Sequence, residues 1–63
     1  MSEREFVIRV DGQGVDGDAG SILVFRQGDC VSLVATAEKN GDAEVVLDKV
    51  AVAALAESLR KIS

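Results

Sequence analysis

The 63-residue chain has no histidine, proline, tryptophan or tyrosine, and one cysteine, Cys30. Each absence removes a class of function. A lone cysteine forms no disulfide within the chain, and without histidine it cannot complete a tetrahedral nitrogen–sulfur metal site. Ser–His and Cys–His arrangements cannot be assembled, so Cys30 has no imidazole to activate it. Two phenylalanines, Phe6 and Phe25, are the whole aromatic content. That is too little for the stacking platform on which single-strand binders lay their bases. No apolar run of membrane-spanning length exists. A net charge of −4 argues against a broad electrostatic grip on nucleic acid or anionic lipid. The start, Met1-Ser2-Glu3-Arg4-Glu5, is polar and mixed in charge, unlike a signal peptide. With one unpaired thiol, the cytoplasm is the expected compartment. No enzyme, cofactor or metal site is expected.

What is present is aliphatic. Nearly half of the residues are apolar, and Val, Ala, Leu and Ile supply most of them. Residues 1–63 make a single domain. A core in so short a chain rarely contributes more than ~3–5 kcal/mol. Small domains go further with disulfides, a metal or a second subunit. With the first two excluded, association is the natural route, and a homodimer or a foreign protein partner is expected.

Hydrophobic periodicity places the elements. Residues 4–10 read as a strand with Phe6, Ile8 and Val10 on one face and Glu5, Val7 and Arg9 on the other. Residues 11–20 hold four of the six glycines and three aspartates, which predicts a mobile acidic loop. Residues 21–27, 30–38 and 42–47 read as further strands, separated by Gly28-Asp29 and Lys39-Asn40-Gly41. Asp48 is placed to cap a helix over 49–62, with Ala51, Val52, Leu55, Leu59 and Ile62 on one face. Glu57 and Lys61 are spaced for an i,i+4 pair on the other. The expected fold is α+β: a four-stranded antiparallel meander, ββββα, with the C-terminal helix packed on one face.

Register decides which side chains share a face. A loop of Lys39, Asn40 and Gly41 would set Ala37 opposite Ala43, Ala35 opposite Val45 and Leu33 opposite Leu47, with Gly41 left-handed. For the second strand two registers stay open. A two-residue Gly28-Asp29 turn aligns Val24 with Leu33 and sends Leu23 and Phe25 to the opposite face; a three-residue loop does the reverse. Either way one helix covers one side. The other side keeps Val7, Val34 and Val46 as an apolar patch rimmed by Arg9, Ser32, Thr36 and Glu44. A half-solvated sheet normally alternates apolar and polar residues, so such a patch marks an interaction surface. Val7, Arg9, Val34 and Val46 are the candidate partner-binding residues, and the acidic loop is an adaptable rim.

Other motifs are weaker. Asp16-x-Asp18-x-Gly20 opens like a calcium loop but places Gly20 and Gln27 where oxygen ligands belong. Gly12-x-Gly14 has no following helix and acidic neighbours, which excludes a phosphate cradle. The order ββββα, with Val45-Val46-Leu47 running straight into an Asp-capped helix, is similar in topology to the PC4-like single-stranded-nucleic-acid-binding domains. That resemblance implies a dimer that binds single strands, in which Arg9, Arg26 and Lys39 would have to gather across a groove. Short acidic ββββα chains also resemble small phage accessory proteins that act by blocking a host protein. Docking on another macromolecule is the leading expectation, and single-strand binding the alternative.

Overall fold

The computed structural model describes residues 3–63, which leaves Met1 and Ser2 outside the described residues. Four strands, β1 (Glu5–Gln13), β2 (Ala19–Gln27), β3 (Cys30–Ala37) and β4 (Gly41–Leu47), precede one helix, α1 (Lys49–Ile62). They form a single antiparallel sheet in the order β1-β2-β3-β4. The ββββα architecture is therefore the one that periodicity predicts.

The turns explain the registers. Gly28 has φ 63° and Asp29 stays at negative φ, the pattern of a II′ hairpin turn. Gln27 accordingly faces Cys30, Val24 faces Leu33 and Ile22 faces Ala35, the two-residue alternative. At the next turn the loop is Glu38, Lys39 and Asn40, not the three residues expected. Gly41 adopts the expected left-handed conformation, at φ 78°, but does so as the first paired residue of β4. Ala37 then faces Gly41, and Leu33 faces Val45. The register moves by two, so every residue keeps its expected face.

Two expectations about β1 are corrected. The acidic segment is not a ten-residue mobile loop: β1 runs on to Gln13 and β2 starts at Ala19, with Gly12 opposite Gly20. Only Gly14–Asp18 turns. The Gly17 amide donates to the Gly14 carbonyl at 2.9 Å, the Gly14 amide donates to the Asp18 carbonyl at 2.8 Å, and Gly17 takes φ 83°. This is a short hairpin with glycine at the left-handed bulge position, for which Asp16-Gly17 is the sequence signal. The second correction is a bulge. Phe6 faces Phe25 and Ile8 faces Val24, which leaves Val7 unpaired. Phe6 is thereby moved to the opposite face from Ile8 and Val10.

The helix also departs from expectation. Its cap forms as predicted, the Asp48 carboxylate accepting from the Ala51 amide at 2.9 Å. Yet α1 packs mainly against β3 and β4. Ala51 and Val52 are half-buried, while Leu55, Leu59 and Ile62 are 40%, 53% and 81% exposed. One residue, Asp48, separates β4 from α1, so the exit of the strand sets the helix direction and leaves no slack to swing it across the sheet. Glu57 and Lys61 form no ion pair among the described residues.

Replacing the cap tests the junction. Asp48→Ala is expected to cost about 1 kcal/mol, seen as a lower urea midpoint with an unchanged slope.

Candidate interaction surface

Cross-strand pairs sort the sheet into two faces. Ile8, Val10, Ile22, Val24, Leu33 and Val45 lie on the helix side, where Ala51 and Leu55 share a hollow with Ile22, Leu33 and Val45. The opposite face carries Phe6, Leu23, Phe25, Ser32, Val34 and Val46. Three of the four candidate residues, Arg9, Val34 and Val46, meet on that second face. Arg9 stands opposite Leu23, which pairs on its other side with Val34; Val46 stands opposite Ser32. Val7 sits apart at the bulge, unpaired and exposed.

The second face has a dry centre and an apolar margin. Ser32, 2% exposed, is the one buried residue among those described. The same face carries Arg4, a residue that sequence reasoning missed. The guanidinium lies 4.3 Å from the centroid of the Phe25 ring and reaches Glu44 of β4 at 2.8 Å. Phe6 meets the same ring edge-on, with centroids 5.7 Å apart. An arginine from before β1 thus bridges Phe25 of β2 and Glu44 of the far strand. Ser21 and Thr36 hydroxyls close the polar end at 3.0 Å. Around that centre Phe6 and Val46 remain more than half exposed. No sequence pattern gives the bulge that brings Phe6 here.

The basic residues do not form a patch. Arg9 pairs with Asp11 at 2.8 Å on the second face, and Arg26 pairs with Glu5 at 2.7 Å on the helix side. Both pairs are solvated and contribute little to stability. Each nevertheless spends an arginine on a carboxylate, and the two arginines point to opposite sides of the sheet.

The acidic turn is tied down. Asp18 accepts from the Lys39 amide at 2.8 Å, joining the β1–β2 and β3–β4 turns, and the Glu38 amide donates to the Ala19 carbonyl at 3.2 Å. No group of three His, Cys, Asp or Glu side chains that could hold a metal occurs among the described residues. Cys30 is half-buried at the start of β3. No described helix is long and apolar enough to cross a membrane.

Comparisons with protein-family models, with curated proteins and with solved structures find no match. The likeness to PC4-like domains therefore rests on element order alone.

Arg4 can be tested directly. Arg4→Ala removes an exposed ion pair and a cation–π contact, for an expected loss of about 1 kcal/mol. The loss should persist in molar salt to the extent that the ring contact carries it, which urea midpoints at low and high sodium chloride will show.

Proposed function

We propose that this chain is a non-enzymatic protein-binding module of the cytoplasm, a homodimer that acts by docking on another macromolecule. The observation that carries the reading is the missing core: among the described residues no apolar side chain is buried. A chain of this composition that leaves Phe6, Ile22, Val46 and Leu59 in water gains free energy from any surface that covers them. Exposed apolar area on this scale belongs to proteins that work in contact with others.

The docking face is the one opposite the helix. Phe6 and Val46 supply apolar contact there with Val34 between the strands, the Arg4–Glu44 pair crosses the middle, Arg9 adds charge, and Val7 stands at the edge, at the bulge. A surface that mixes exposed apolar side chains with arginine and carboxylate is of the composition non-obligate protein interfaces present. An accessory or inhibitor protein that occupies a target in this way needs no catalytic group of its own.

Two measurements test the reading. The urea midpoint of the wild type should rise with protein concentration, as it does for folds completed by association; a midpoint independent of concentration across the micromolar range would count against it. Val46→Glu should keep the circular dichroism of the wild type, because the side chain is 61% exposed, but lose any protein retained by wild-type bait. Equal retention by both baits would remove this face from the proposal.

A further inference from the structure

The helix side of the sheet is unfinished. Two hollows join there, sharing Ile22, Ala35 and Ala43: one of about 350 Å³ beneath Ala51 and Leu55, the other of about 550 Å³ running toward the β1–β2 and β3–β4 turns. The floor of the second is small. Gly12, Gly20, Ala37 and Gly41 form one row across all four strands, with no side chain longer than a methyl. The chain's own helix leaves this trough empty: it packs mainly against β3 and β4, and none of its residues lines the trough. The same helix holds Leu55, Leu59 and Ile62 in solvent. One chain therefore carries an apolar ridge and an apolar trough and can satisfy neither alone.

The area indicates the size of the missing cover. The chain exposes 4969 Å². A compact 6.6-kDa monomer is expected to expose roughly 3,900 Å². The excess is roughly 1,000 Å² per chain, or roughly 2,000 Å² for a pair, which is where obligate dimer interfaces begin. Edge-to-edge strand pairing is the competing way to join two copies, but β1 is broken by its bulge and β4 runs directly into α1.

We infer that a second copy of this chain closes the helix side: the Leu55–Leu59–Ile62 ridge of one protomer lies in the trough of its partner, and the reverse. The two contacts are the same contact, related by a two-fold axis. This inference rests on the reading that the chain works by association, and adds which face the second copy takes. The opposite face stays on the outside of the dimer, open for docking.

Gly12→Val is the deciding variant. A Cβ at Gly12 meets nothing within 4 Å in the single chain, and valine suits a strand, so the protomer has room for the substitution, which its circular dichroism will check. It does fill the trough. Light scattering and sedimentation equilibrium on the wild type, Gly12→Val, Leu59→Glu and Val46→Glu should give a wild-type dimer at micromolar concentration. Gly12→Val and Leu59→Glu should each raise the dissociation constant at least tenfold, and Val46→Glu should leave it unchanged. A wild-type monomer at 100 µM on the order of ordinary interface affinities would overturn the inference and leave docking on a foreign protein intact. A dimer that withstands Gly12→Val but dissociates with Val46→Glu would overturn it too, by moving self-association to the docking face. If Leu59→Glu fails to fold, Gly12→Val alone decides: a dimer as tight as the wild type, or tighter, refutes the trough.

Discussion

Three antiparallel ladders hold this chain, and their registers fix everything that lies on either face. Since no described apolar side chain is buried, the sheet depends on backbone pairing and on the turns that set it, Gly17, Gly28 and Gly41 each at positive φ. Moving any strand by one residue would exchange its two faces. The apolar trough, the dry centre at Ser32 and the split between the arginines would all be lost together. Turn geometry thus reaches function through register, before any side chain makes a contact.

The fold was legible because its signals are local. Alternation in β3 and β4, the Asp48 cap and the glycines of the two later turns are properties of short windows, and each predicts what forms. The two-residue shift at the β3–β4 turn did no harm, since a shift by two preserves faces. Two features were not legible. A bulge at Val7 leaves no glycine to announce it, so Phe6 was expected beside Ile8 and is found beside Phe25. The standoff of the helix is invisible too, because amphipathic periodicity tells that a helix has an apolar face but not whose surface covers it.

The candidate residues fared accordingly. Arg9, Val34 and Val46 meet on one face because their strands alternate regularly, whereas Val7 stands aside at the irregularity. Arg4 escaped notice since its partners, Phe25 and Glu44, lie on two other strands that only the folded sheet brings together. The helix side escaped for a simpler reason: a helix spaced to cover it was assumed to do so. What separates the two faces physically is reach. An arginine side chain can cross between strands, but a helix tethered by one residue cannot.

The tie between Asp18 and the Lys39 amide has a bearing on how the protein meets a protease. By composition, residues 11–20 invite cleavage, being rich in glycine and acid and free of bulk. Proteases require an extended stretch of several residues that can be pulled into the active-site cleft. Here the strands close in at Gln13 and Ala19, and the Asp18 carboxylate fastens the neck of the turn to its neighbour, so only Val15, Asp16 and Gly17 stand clear. Three residues bent around a left-handed glycine are a poor substrate. The segment with the weakest composition is thereby shielded in the chain before any partner arrives.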